Sequence, residues 1–402
     1  MRRIFQLLVF LKNFATGIMA PVLSLTLLAY GASISTISLL IGAYSFTVMV
    51  AEFPSGVFAD LCGRKMSLLL SAVLSFLSYC FILFSQSIAM LFCAMIVSGL
   101  GRAFSTGCID ALAIDDLGTN EGALVRITAR LSILESTGLA IGALAGGLLS
   151  GLGIRYVGNL SANLVIYMLI FMLTSIFVHE QSPTRTKVEG QRVSKRRSIG
   201  TQIKESLAFM MQRGMVRTLF IFSLVTGFAL IAIETYWQPA LSSYSPEPWV
   251  FGVVSFAGFF CVVIGSRLVE HLLTKRPNCG TALLFGSKAL FGGCLILLVS
   301  SFHVLFFVTA YTLVYLFLGG GGVAESTLLN RVAPTNQRVS ILSLFSFVLQ
   351  IGGLIASLCG YVVSDQLNFR VIWLIAGLLL ILCVGVFMPI YSKSRHRQNS
   401  IG

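Results

Sequence analysis

Among the ionisable side chains inside long apolar runs, six stand out: Lys12, Arg102, Asp110, Glu135, Glu234 and Glu325. Placing a charge in hydrocarbon costs at least ~2.5–3.5 kcal/mol on insertion scales, so each is a functional candidate. Two chemistries suit them. A buried carboxylate that changes partner can bind and release a proton, and the same group attracts a cation while it is ionised. Lys12 and Arg102 could instead clamp an anion. Asp110 and Glu325 occupy equivalent places in a repeated pattern. Gly107-x-x-Asp110-x-x-x-x-Asp115 recurs as Gly322-x-x-Glu325-x-x-x-x-Asn330, with the same offset at every position. Both suit proton exchange, with a fixed ion pair as the alternative. Glu52, just before Pro54, reads as a structural partner of the loop that follows it. Lys288 reads as a residue whose long stem reaches the headgroups.

The elements that must hold these residues are membrane helices. Of 402 residues, 56% are hydrophobic and 11% charged, a balance that would leave a soluble domain with large exposed apolar patches. A span needs ~20 apolar residues. Twelve stretches qualify: Phe5 to Tyr30, Ser35 to Val57, Met66 to Phe84, Ile88 to Leu117, Val125 to Gly151, Val157 to Val178, Val216 to Leu241, Trp249 to Leu273, Thr281 to Ser300, Val304 to Val332, Val339 to Ser364 and Phe369 to Tyr391. The fold class is therefore an all-α integral membrane protein. Residues 1–178 form an N-terminal six-helix bundle and 216–402 a C-terminal one. The polar stretch 179–215 links them, and Ile199, Ile203, Leu207, Met210 and Met211 share one face of an amphipathic helix at its end. Gly138 and Gly146 of the fifth span are echoed by Gly352 and Gly360 of the eleventh. Parallel six-helix repeats imply a site near the midplane.

Basic residues set the orientation. Arg2, Arg3, Arg64, Lys65, Lys275, Arg276, Arg338 and Arg395 all fall on one side, while the loops on the other hold only Arg155 and Arg370. Both termini and the linker are expected in the cytoplasm, and the protein in the plasma membrane. The net charge of +13 is a topology signal that also attracts anionic headgroups, and it is no argument for nucleic acid. Trp237, Trp249 and Trp373 fall at the outer ends of spans, where indole rings favour the headgroup boundary. None of the nine cysteines lies in an outer loop, so disulfides are not expected. No metal or cofactor site and no nucleotide cradle is visible.

After the second span comes Gly56-Val57-Phe58-Ala59-Asp60-Leu61-Cys62-Gly63-Arg64-Lys65. This run resembles motif A of the major facilitator superfamily, G-x-x-x-D-x-x-G-R-K, at every fixed position. Gly56 is expected to admit a neighbouring helix, Gly63 to make a tight turn, and Asp60 with Arg64 to supply opposite charges. The resemblance implies a latch against the opposite half and an acid at the end of the fourth span, a part for Asp115 or Asp116. A short basic loop is the plain alternative. Gly99, Arg102, Thr106 and Asp110, placed on one helical face, resemble the family's motif B. Gly138-x-x-x-Gly142-Ala143-x-x-Gly146-Gly147 is similar to antiporter motif C, with Ala143 in place of Pro. Close helix packing explains those glycines equally well.

In this family the first, fourth, seventh and tenth spans line the cavity, which makes Lys12, Arg102, Asp110, Glu234 and Glu325, with Glu135 of the fifth, the candidate substrate and coupling residues. The expected function is alternating access driven by an ion gradient. The reading is proton-coupled efflux of a small hydrophobic or cationic compound by a monomer in the lipid bilayer. The alternatives are proton-coupled import of a small organic anion and, from a different class, a non-transporting sensor or intramembrane enzyme. No nucleophile–base pair supports an enzyme.

Overall fold

The computed structural model describes residues 3–106, 121–178, 214–244, 247–332 and 338–399. Its α-helices are α1 (Arg3–Met19), α2 (Leu23–Ala29), α3 (Ile34–Cys62), α4 (Arg64–Leu83), α5 (Ile88–Ser105), α6 (Glu121–Leu149), α7 (Val157–Phe177), α8 (Gly214–Ser242), α9 (Pro248–Lys275), α10 (Gly280–Val299), α11 (Val304–Val332), α12 (Arg338–Gln366) and α13 (Arg370–Asn399). Among the described residues 11 helices are long and apolar enough to cross a membrane, and α1 with α2 make a twelfth span bent by 52°. Counted so, the number agrees with the twelve expected spans, the first being broken and the described part of the fourth ending at Ser105. Pro21 explains part of the break, because it has no N–H to give the Gly17 carbonyl. Starts are conventional where the sequence offers a cap. The Ser33 hydroxyl accepts from the Thr36 N–H at 3.1 Å, and the Ser87 hydroxyl from the Met90 N–H at 3.3 Å. The amphipathic stretch expected at Ile199 to Met211 lies outside the described residues.

The chain divides into two compact units, Met1–Arg192 with Gln238–Phe259, and Val193–Trp237 with Phe260–Gly402. In the first, α1 packs on α6 and α7, α3 on α5, and α4 on α5 and α7. The α1–α6 contact is a backbone contact. A Cβ added at Gly138 would lie 2.8 Å from the Phe10 carbonyl oxygen, and Cβ atoms at Gly142 and Gly146 would collide with the carbonyls of Phe14 and Ile18. Glycines at i, i+4 and i+8 thus face carbonyls at i, i+4 and i+8, which lets the two helices touch without side chains between them. Asn159 of α7 ties the same carbonyl ridge down, donating to the oxygens of Gly146 at 2.8 Å and Ile18 at 3.2 Å.

The second unit repeats this joint. A Cβ at Gly352 of α12 would collide with the Leu224 carbonyl of α8, and one at Gly227 with that of Leu349. Gly352 follows Gly138 at the same offset by which Leu224 follows Phe10, so the internal match seen in the sequence is a match in packing. Elsewhere in this unit α10 packs on α11 and α13, and Gly292 and Gly377 close the second of these contacts.

The tryptophans correct the sequence reading. Only Trp249 is exposed, whereas Trp237 and Trp373 are buried inside the second unit. The Trp373 indole donates to the Ala232 carbonyl at 2.8 Å, and Trp237 packs on Tyr311 with ring centres 4.9 Å apart. An indole that finds an internal acceptor or an aromatic partner has no need of the interface.

The glycine joint predicts a contrast between two substitutions. Gly142→Leu should lower the melting temperature of the detergent-solubilised protein, by the equivalent of roughly 1–3 kcal/mol or more, because overpacking must push α1 and α6 apart. Gly56→Ala should not lower the melt, since a Cβ there meets nothing within 4 Å among the described residues and alanine favours the helix.

Candidate functional site

Within the second unit the local chemistry begins on α8 and α11. Glu234 is half-buried on α8 and accepts a hydrogen bond from the Tyr315 hydroxyl of α11. Tyr311, one turn before Tyr315, packs on it at 4.7 Å between ring centres, and the Trp237 ring lies on Tyr311. Phe307 and Trp373 extend the stack. A carboxylate is thereby held by a phenol hydroxyl beside an aromatic stack, through side chains spaced three or four residues apart on two helices. Sequence reasoning found Glu234 and missed its surroundings. Tyr311 and Tyr315 at i and i+4, and Trp237 three residues after Glu234, are the pattern that carries them.

Glu325, further along α11, is not part of that group. It is buried, and its Oε2 lies 2.8 Å from the Lys288 Nζ of α10. The same ammonium donates to the Thr226 hydroxyl of α8 at 2.6 Å. Lys288 therefore does not reach the headgroups as its long stem led the sequence reading to expect. Only 2% exposed, it turns inward because a buried carboxylate offers its charge more than the distant interface does. The other carboxylate oxygen, Oε1, has no hydrogen-bond partner among the described residues. Other charges on the elements packed here lie away from the pair: Arg331 stands in the last turn of α11, and Arg217 and Glu234 lie about two turns on either side of Thr226.

In the first unit the expected site residues that are described lie on three helices. Lys12 on α1 and Glu135 on α6 are half-buried, and Arg102 is exposed in the last turn of α5. That turn is fastened by serines. The hydroxyls of Ser71, Ser55 and Ser67 donate to the carbonyls of Gly101, Ala103 and Phe104 at 2.7, 3.0 and 2.9 Å. Helix α5 ends at Ser105, and Thr106 turns into extended backbone, so the face expected to run from Gly99 to Asp110 is described as a helix only as far as Arg102. Asp110, Asp115 and Asp116 lie outside the described residues.

The motif A segment forms the junction of α3 and α4. Gly63 has φ +95° and ψ 150°, and its N–H donates to the Ala59 carbonyl at 3.0 Å, ending α3 where a residue with a Cβ would be strained. Lys65 donates to the Ser175 carbonyl near the end of α7 at 2.9 Å, the cation meeting the negative end of a helix. Arg64 is half-buried. A Cβ on Gly56 would meet nothing within 4 Å among the described residues, and the end of the fourth span expected near it lies outside them. The partly similar motif C glycines of α6 serve the α1 joint described above. Among the described residues no group of three His, Cys, Asp or Glu could hold a metal ion.

The buried pair predicts strong coupling between its members. Lys288→Met alone or Glu325→Gln alone should destabilise the protein by ~3–5 kcal/mol, because each leaves a polar partner stranded, while the double variant should recover most of the loss. Thermal melts of the three proteins check it.

The Major Facilitator Superfamily family model matches residues 6–356 of this chain. An uncharacterised MFS-type transporter, YxaM of Bacillus subtilis (strain 168), is 29% identical over 270 residues, a stretch that spans 66% of each chain and so just under two thirds of that relative. Multidrug resistance protein 2 of the same organism is 22% identical over 395 residues, covering 94% of this chain and 92% of its own. Among solved structures the nucleoside transporter NupG superposes with TM-score 0.76 at 14% identity, covering 96% of this chain and 98% of that one. A POT family transporter in complex with 5-aminolevulinic acid gives 0.73 at 13%, covering 97% and 96%. At such identities the structural likeness speaks to the fold alone. With a family model covering most of its length and the helices that the fold requires, this chain belongs to the Major Facilitator Superfamily and is a multi-pass membrane transporter, not an enzyme.

Proposed function

We propose that this transporter works by alternating access and exports small hydrophobic or cationic compounds in exchange for protons, from the plasma membrane, with both termini in the cytoplasm. The observation that carries the reading is Glu234 with its aromatic wall. A carboxylate beside Tyr311, Tyr315 and Trp237 offers a lipophilic cation both a counter-charge and π faces. It attracts that cation only while ionised, so proton and substrate are alternative ligands of one group. Exchange for an entering proton then expels the cation. The name of the relative Multidrug resistance protein 2 points the same way. Glu325, with Lys288 as its partner in this packing, Glu135 and Asp110 are the further carboxylates through which protons would pass, and the motif A residues Asp60, Arg64 and Lys65, with Asp115 or Asp116, would bias the two states.

Cells expressing the protein should retain less of a lipophilic cationic dye than cells expressing Glu234→Gln, and an uncoupler should erase the difference. The amide should weaken the charge-assisted contact by roughly tenfold, ~1.4 kcal/mol. A panel of cationic dyes showing no difference, together with gradient-dependent uptake of a carboxylate that Lys12→Ala and Arg102→Ala both abolish, would replace export of cations with import of anions.

A further inference from the structure

The break in the first span is filled by a side chain from elsewhere in the sequence. In a continuous helix the Ser24 N–H would donate to the Ala20 carbonyl, four residues back. Here the Ser24 N–H donates to the Gln238 Oε1 at 2.7 Å, and the Ala20 carbonyl accepts from the Gln238 Nε2, also at 2.7 Å. One carboxamide has thus inserted into one rung of the helical ladder, with its acceptor to the orphaned donor and its donor to the orphaned acceptor. Pro21 does not account for that rung. It deletes the bond to Gly17, whereas Ser24 and Ala20 both keep the groups they need. The bend of 52° makes room for an amide between α1 and α2.

Gln238 is 2% exposed and lies one residue before Pro239 in the last turns of α8. The segment it begins, Gln238–Phe259, belongs to the same compact unit as α1 to α7. That segment touches α6 at backbone distance, since a Cβ on Gly147 would come within 2.6 Å of the Gly252 Cα. The Ser150 hydroxyl also lies 3.3 Å from the Pro248 carbonyl. A cavity of 360 Å³ adjoins these contacts, lined by Leu25, Ala29, Arg155, Ser242 and Phe251 among others.

We propose that Gln238 is a gating residue of the transport cycle, whose carboxamide clamps the segment 238–259 to the first span and is released when that end of the protein opens. The physical argument is that both arrangements satisfy the Ser24 N–H and the Ala20 carbonyl. With the amide inserted, the orphaned rung is bonded through Gln238. With it withdrawn, Ser24 and Ala20 bond each other, and α1 and α2 straighten into one helix. A side chain that left two unpaired backbone groups behind in hydrocarbon could not be released cheaply. This one leaves none, so the break is an element with two discrete states. The inference rests on the alternating-access reading above, but not on the direction of transport, the substrate or the coupling ion.

The test is labelling by a membrane-impermeant maleimide in right-side-out and inverted vesicles. It uses a cysteine-free background carrying Ala240→Cys, a position fully buried in this structure. A second protein, retaining only the exposed Cys62 of motif A, marks the opposite side of the membrane. Gln238→Leu should raise the labelling rate at position 240 about tenfold, equivalent to ~1.4 kcal/mol, and only from the face opposite Cys62. Gln238→Glu, which keeps the acceptor for Ser24 but not the donor for Ala20, should fall between. Pro21→Ala restores an N–H to the ladder and should act in the same direction, and the Pro21→Ala/Gln238→Leu pair should label at least as fast as the faster single variant. An unchanged rate in Gln238→Leu would overturn the proposal, as would a Pro21→Ala substitution that slows labelling. Equal labelling from both faces, with a lowered melting temperature, would mean that Gln238 is a packing residue and would overturn it too. Failure of the export reading would leave all these rates as they are, so the two fail separately.

Discussion

Hydrocarbon offers a peptide group no partner, and from this constraint the rest of the structure follows. It makes the spans helical and sets side chains against two of their irregularities. Where α5 ends, the serines of α3 and α4 bond its last carbonyls. Where the first span breaks, Gln238 bonds both sides of the gap. Lipid also withholds a hydrophobic drive for helices to associate, so their adhesion must come from van der Waals contact and polar bonds. The glycine ridge of α6, set into the carbonyls of α1, is that adhesion in its closest form.

The same joint recurs between α8 and α12, and the repeat gives the differences between the halves their meaning. At the offset that relates Leu224 to Phe10, Thr226 is the counterpart of Lys12, so the place that holds a lysine on the first span holds a hydroxyl on α8. The second unit supplies its ammonium from α10 instead, through Lys288, which reaches Thr226 and Glu325 together. One half thus carries its basic group on the helix of the glycine joint, and the other carries it on a helix packed beside α11. Glu234 is likewise without an acidic counterpart at the same offset, where the first span has Ala20. The duplicated scaffold sets the packing, and the departures from it mark the residues to which function is assigned.

Much of the architecture was legible because it rests on hydropathy, length and glycine spacing, which are properties of single segments. The twelve spans, the repeat and the turn at Gly63 all belong to this class. What was not legible depends on partners distant in sequence. Lys288 reads as a snorkelling residue until Glu325 is seen at 2.8 Å on the next helix. Trp237 and Trp373 read as interface anchors until Tyr311 and the Ala232 carbonyl are seen to receive them. Gln238, a plain polar residue at the end of a span, gave no local sign that its amide completes a helix near the other end of the chain.

The central functional claim is that a lipophilic cation and a proton compete for a carboxylate and therefore move in opposite directions. The most direct measurement is proton movement itself, in liposomes of the purified protein with an acidic lumen reported by a trapped fluorescent pH indicator. The account predicts that adding ethidium outside discharges the proton gradient faster than the liposomes' own leak, and that Glu234→Gln removes the extra rate. A lumen whose pH is indifferent to the cation, in liposomes that nonetheless accumulate an organic anion together with protons, would contradict it.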